Sequence, residues 1–266
     1  MIIYASMSVK NEGDIIADTI KHALLWADKI FVIDNGSDDS TAELLKNFGD
    51  RVVVLSTFHG EFREGLKSIP FNWVNTSHSY PRADWWCIMD ADEVYNEDPR
   101  EFLRTLPDRY GRVCTNTIEF IGLIDSNQPL LPESYSHYIP LDWSESRFYR
   151  NTRSLIWCDF KDNGPSGVGA TYHRRIQVLH FPFRTDAQIR KRMEVRNRNR
   201  KDTGIAWSNA NYKSVDSLIK EYNAENRLKN EGCLHFSGSA RNFLSSPRDR
   251  LSAIIKQLIY WIGFYR

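Results

Sequence analysis

Apolar residues open the chain as one short run, Ile2 to Val9, and then change period. Over Asp14 to Trp26 they recur at Ile15, Ile16, Ile20, Ala23 and Leu24, with Ala27 just beyond, which is helical spacing. Lys29-Ile-Phe-Val-Ile-Asp34 is again a continuous apolar run, Thr41 to Phe48 turns Leu44, Leu45 and Phe48 to one side, and Arg51 to Leu55 is a third run. Strand, helix, strand, helix, strand predicts a parallel sheet, and runs without polar alternation suit a sheet covered on both faces.

Further on, Phe62 to Trp73 predicts a short helix and Asn75 to Pro81 a turn or loop. Asp84-Trp-Trp-Cys-Ile-Met-Asp90 predicts a central strand that ends abruptly in acids, and Pro99 to Leu106 a helix with proline in its first turn. Several strands are expected across 111–160, separated by polar loops around 125–146, and another over Arg174 to Phe181. Helical patterns dominate from Asp186 onward, with one helix near Ser214 to Leu228 and a last one from Arg248. A boundary near 183 therefore divides an α/β domain, 1–183, from a helical extension, 184–266.

Composition narrows the class. The 266 residues carry 35 Lys plus Arg against 34 Asp plus Glu, so no global charge calls for nucleic acid or an anionic surface. With 41% hydrophobic residues the chain excludes wholesale disorder. Cys87, Cys114, Cys158 and Cys233 lie far apart, without structural-zinc or disulfide-scaffold spacing. No basic, apolar leader and no run of about 20 apolar residues is present, and the expectation is a reduced, cytoplasmic protein.

Three segments could carry chemistry. Asp34-Asn-Gly-Ser-Asp-Asp-Ser-Thr41 follows a buried strand and precedes a helix, at the sheet edge where open α/β proteins bind ligands. Its residues are equally those of a turn and helix cap, with Asp39 or Ser40 as the capping group. Asp90-Ala-Asp92 leaves the tryptophan-bearing strand with two carboxylates on alternate positions. Acids at that place start a helix well, but a dry strand delivering two repelling carboxylates favours a hard divalent cation between them. His180-Phe-Pro-Phe-Arg184 ends a further strand; His180 could join a metal site, and Arg184, Arg190, Lys191 and Arg192 could hold a diphosphate. Read blandly, the 190–201 basic run is a solvated helix face. It lacks the interleaved aromatics of a nucleic-acid arm, so no nucleic-acid partner is expected.

Ser8-Val-Lys-Asn-Glu12, then Ile30-Phe-Val-Ile-Asp34-Asn-Gly-Ser-Asp-Asp-Ser-Thr41, then Asp90-Ala-Asp92-Glu93 closely resemble the family 2 glycosyltransferases. The order and placement of these motifs at successive strand ends carry the resemblance, over about residues 2–106 and more weakly over 147–195. The subgroup it resembles closes its catalytic domain on a segment like His180-Phe-Pro-Phe-Arg184. The resemblance implies a GT-A fold, Rossmann-like with a mostly parallel sheet and helices on both faces, here with the C-terminal helical extension. It implies a nucleotide-diphosphate-sugar donor, Mn²⁺ or Mg²⁺, and a glycan or lipid-linked acceptor, as in polysaccharide biosynthesis. Carried over by position, Asp34 contacts the donor's base, and Val9, Asn11 and Glu12 line the same pocket. Asp90 sits near the ribose or metal, Asp92 ligates the metal, and His180 completes the metal site or meets the diphosphate.

Members of this family are mostly inverting, which requires a general base for the acceptor hydroxyl. The Glu-Asp pair that many of them carry after the metal motif is missing here. Among Glu119, Asp125, Asp142, Glu145, Asp159 and Asp162, the resemblance points to Asp159 and Asp162, just before the His180 strand. The missing pair also supports a noncatalytic reading, a protein of the same fold that binds a nucleotide sugar or glycan without turnover. Gly164-Pro-Ser-Gly-Val-Gly169 lacks the Gly-Lys-Ser/Thr ending of a phosphate loop and suits an acceptor-side loop. Leu251, Ile254, Ile255, Leu258, Ile259 and Ile262 form one helical stripe beside Tyr260, Trp261 and Phe264. Such a stripe docks on the core, on a second subunit, or on the inner membrane face.

Overall fold

The computed structural model describes residues 1–60, 62–124, 131–141, 143–158, 164–166, 169–203 and 214–224. The described residues fold into two compact units, one within 1–116 and 144–177, the other within 117–143 and 178–224. The division at 177/178 stands close to the boundary expected near 183, and 117–143 joins the later segment through long-range pairing, which local patterning does not encode.

In the first unit the expected alternation is present: β1 (Ile3–Val9), α1 (Ile16–Ala23), β2 (Lys29–Asp34), α2 (Thr41–Lys46) and β3 (Val52–Thr57). A 3-10 turn over Glu64–Lys67 leads into α3 (Ser68–Ser77), then β4 (Trp85–Met89), β5 (Glu93–Tyr95) and α4 (Pro99–Arg104). β1 pairs in parallel with β2 on one side and β4 on the other, and β2 with β3. The parallel half therefore runs β3-β2-β1-β4, and strand order reverses across β1. Beyond β4 the expectation of a mostly parallel sheet gives way to a mixed one. β8 (Ser146–Arg150) pairs antiparallel with β4, and the start of β6 (Tyr110–Leu123) pairs antiparallel with β8.

Period-two packing explains the continuous apolar strands. Ile3, Ala5, Met7 and Val9 face Ile16, Ile20 and Leu45 of α1 and α2, together with Ile30, Val32, Trp85, Cys87 and Met89. The alternate residues Tyr4, Phe31, Trp86 and Ile88 face Phe71 and Val74 of α3. Both sheet faces are dry, as a parallel sheet requires. α3 runs three residues into the stretch expected to be a loop. Burial of Phe71 and Val74 holds its last turns against the turn preference of Asn75, Thr76 and Ser77, until His78 ends it with φ +54°. Residues expected only as loop around 125–146 also contain β7 (Tyr135–Pro140), which pairs with Ile118–Leu123 of β6 inside the second unit.

The rest of the second unit is most of β9 (Ile176–Phe183), α5 (Asp186–Thr203) and α6 (Val215–Ala224). Its core joins Ile121, Ile139, Leu141 and Phe183 to Ile189 and Met193 of α5 and Leu218 and Tyr222 of α6. The stripe expected over 251–262 lies outside the described residues. Among the described residues no helix is long and apolar enough to cross a membrane.

Candidate functional site

β1, β2 and β4 end together at one edge of the first unit, with Val9 in register with Asp34 and Met7 with Met89. Asp34 and the residue following β4, Asp90, therefore stand two strands apart, roughly 10 Å by inter-strand spacing. The crevice beside a reversal of strand order at the carboxyl edge is the general ligand position of open α/β sheets.

The loops after β1 and β2 are tied to one another. Asn35 N–H donates to the Val9 carbonyl at 2.8 Å, and Lys10 Nζ donates to the Asn35 carbonyl at 2.7 Å. Asn11 takes φ +57°, a region asparagine tolerates; its N–H donates to Ser37 Oγ, and its Oδ1 accepts from Asp38 N–H at 2.9 Å. Glu12 N–H donates to Thr41 Oγ1 at 2.9 Å. Gly36 has φ +71°, and a Cβ there would meet His59 Nδ1 at 2.7 Å, so only glycine allows this close approach.

Asp34 is buried within this knot. Its Oδ1 accepts from Ser37 N–H at 2.9 Å and from Ser37 Oγ–H at 2.7 Å, which is the turn-forming role its sequence context suggested. Oδ2 takes no hydrogen bond from the described residues and remains available as an acceptor. Asp39 serves α2, accepting from Thr41 N–H at 3.0 Å, whereas the Ser40 side chain makes no capping bond.

The second acidic group is more densely charged. Asp90 lies between two cations. Lys67 Nζ donates to its Oδ1, and Arg147 Nη2 donates to its Oδ2 at 2.5 Å. Lys67 is fully buried, pairs also with Glu64 at 2.5 Å, and is pinned to β1 through Ser6 Oγ–H donating to its carbonyl. Arg147 Nη2 donates to Glu93 Oε1 and forms an ion pair with Glu145 Oε2, each at 2.5 Å. Burial alone would push the Asp90 carboxyl up, but the adjacent Arg147 and Lys67 charges overcome it and hold the group well below the usual carboxylate range. Asp92, buried in the turn after β4, opposes them with its own negative charge. Burial disfavours charge on Lys67 and Arg147 as well, yet Asp90 and the neighbouring glutamates hold both cationic.

Oxygens of Asp90, Glu93 and Glu145 lie within 4.8 Å of one another. Hard, converging carboxylate oxygens fit Mg²⁺ or Mn²⁺. Among the described residues, the carboxylates of Glu64, Asp90, Glu93 and Glu145 pair with Lys67 or Arg147, and Asp92 adds its charge beside Asp90. The oxygens that converge are those of Asp90 with Glu93 and Glu145, and Asp92 is not among them.

The remaining predicted residues belong to the second unit or lie outside the described residues. In the second unit, His180 Nδ1 is 3.6 Å from Glu119 Oε2. Arg184 is buried there, its Nη1 donating to the Phe181 carbonyl at 2.7 Å, while Lys191 is exposed on α5. Asp159 and Asp162 lie outside the described residues. Sequence reading missed Lys67, Arg147, Glu64 and the convergence of Glu93 with Glu145. The bonds from Lys67 and Arg147 to Asp90 join residues 23 and 57 positions apart, a separation no local motif spans. One signal was present: Arg147 beside Phe148 and Tyr149 in a strand must bury a charge and so needs acids nearby.

Residues 5–177 match the pattern described as Glycosyl transferase family 2. Solved structures similar to the chain include glucosyl-3-phosphoglycerate synthase from Mycobacterium tuberculosis in complex with Mn²⁺, UDP and phosphoglyceric acid. That likeness is 18% identical, covers 44% of this chain and 43% of the synthase, and has a TM-score of 0.31. It thus takes in less than half of the synthase's own length. S. aureus TarS 1–349 in complex with UDP-GlcNAc is 11% identical over all of this chain and 82% of that one, with a TM-score of 0.43.

Proposed function

The chain belongs to glycosyl transferase family 2, and from that premise we propose that it moves a glycosyl group from a nucleotide-diphosphate-sugar to a hydroxyl acceptor. One observation carries the reading: Asp34 and Asp90 stand at the carboxyl ends of β2 and β4, on either side of β1, where strand order reverses. Asp34 Oδ2 accepts a hydrogen bond from the donor's base, and the Val9 to Glu12 loop closes the same pocket. Asp90 and Asp92, with Glu93 and Glu145 close by, would hold Mn²⁺ or Mg²⁺, whose chemistry is to offset charge on the departing nucleoside diphosphate. Lys67 and Arg147 keep Asp90 ionised, and Lys67 holds its Oδ1 in place.

The finer reading is transfer with inversion onto a glycan or lipid-linked acceptor, with Asp159 or Asp162 taking the acceptor proton. Melting a panel of nucleotide sugars with the protein, with and without Mn²⁺, tests the donor site, because a ligand bound only by the native state raises the midpoint. One nucleotide class should stabilise the wild type and fail to stabilise Asp34→Ala, and Asp90→Asn should lose release of nucleoside diphosphate. A panel in which no nucleotide sugar raises the midpoint would overturn the proposal. Stabilisation without any diphosphate release would favour a noncatalytic binding protein.

A further inference from the structure

The guanidinium of Arg147 stands where a cation held by the acidic group would be expected. Three carboxylates converge on its Nη2, with Asp90, Glu93 and Glu145 each at 2.5 Å. That nitrogen carries two hydrogens and can serve two acceptors at once. Asp90 and Glu93 take the hydrogen bonds, and Glu145 is left with charge attraction alone. The rest of the fork is poorly used: Nε is buried with no acceptor among the described residues. Arg–carboxylate pairs are frequently bidentate, with two nitrogens on one carboxylate. Here a single nitrogen is pushed into a three-oxygen cage, the position a compact cation takes.

We propose that Arg147 is a built-in competitor for the divalent cation: its guanidinium holds the Asp90, Glu93 and Glu145 oxygens, and a cation enters by displacing it. Arg147 thereby sets the cation affinity of the site. This rests on the proposed cation, though not on any particular sugar or acceptor. Exposure of the three acids orders the exchange. The Glu145 side chain is 41% exposed and its carboxylate takes no hydrogen bond from the described residues, so it opens first, whereas Glu93 is 3% exposed and releases last. Asp90 keeps its place throughout, because Lys67 holds its other oxygen.

The test is Mn²⁺ binding to the full chain without any nucleotide, followed by the EPR signal of free Mn²⁺. Removing the competing charge in Arg147→Met should tighten binding by about tenfold or more, equivalent to about 1.4 kcal/mol. Adding Glu145→Gln to that variant should return the affinity most of the way toward wild type. Arg147→Lys keeps the charge and the fold on a shorter stem that withdraws from part of the cage, and it should bind about threefold tighter than wild type. If Arg147→Met is recovered folded only when Mn²⁺ is present, the metal has replaced the guanidinium as counter-charge, which also supports exchange. Either folded variant binding Mn²⁺ no more tightly than wild type would overturn the proposal, and so would wild type and both variants all failing to bind it. Tighter Mn²⁺ binding in the variants, beside a wild type that neither binds nor turns over any nucleotide sugar, would uphold the exchange while removing the glycosyltransferase reading.

Discussion

Replacing Lys67 with methionine removes one ammonium from the interior while keeping most of its volume. Lys67 is fully buried between Glu64 and Asp90. Two unit charges about 3 Å apart attract by about 5 kcal/mol at an effective dielectric constant of about 20. The substitution also relieves the cost of burying the ammonium, several kcal/mol, so the loss is smaller than that attraction. Breaking a buried pair from one side costs about 3–5 kcal/mol, and because Arg147 still serves Asp90, the expected loss is near the lower end, about 3 kcal/mol. Urea denaturation in EDTA measures it, and with a slope on the order of 2–3 kcal/mol per molar the midpoint should fall by about 1 M. Asp90→Asn in the same background should recover part of the loss, giving a coupling of about 1–3 kcal/mol in the double-mutant cycle. Additive effects, with a coupling below about 0.5 kcal/mol, would show that Lys67 and Asp90 do not depend on each other.

Other expectations follow from the same structure. Stability should be nearly flat in pH between about 5 and 9 as far as Asp90 and Lys67 are concerned. Asp90's carboxyl is held below its ordinary 3.8, so its contribution is present above that value and is lost as pH falls toward the folded-state value. Lys67 is held above its ordinary 10.5, so its contribution is present below that value and lost only as pH rises beyond it. Acid titration of the urea midpoint checks the first limb, and a midpoint already falling between pH 7 and 5 in an Asp90-dependent way contradicts the sign. Gly36→Ala should destabilise by about 1–2 kcal/mol through its positive φ and the His59 contact, and His59→Ala should relieve only the contact. Phe71→Ala should cost about 3–5 kcal/mol in thermal or urea unfolding, because its ring packs on Trp86 at 5.0 Å and on Trp157 at 5.8 Å. A loss under about 1 kcal/mol would mean that α3 does not anchor that face.

Local pattern determined a good deal of this protein. β2 runs over Lys29–Asp34 as the apolar run predicted, and β1, α1, α2, β3 and β4 begin and end within a few residues of their expected bounds. Strands buried on both faces must be continuously apolar, and the acids that close β2 and β4 must then stand at the sheet edge; both facts are written in neighbouring residues. What surrounds those acids is written nowhere locally. Lys67 comes from a 3-10 turn and Arg147 from a strand antiparallel to β4, and only the fold carries their charges to Asp90. The same holds for β7, whose residues pair because β6 lies alongside them, and for the interleaving of segments between the two units. Periodicity reports on contacts one turn or one strand away, whereas a buried charge draws its partners from wherever tertiary packing delivers them.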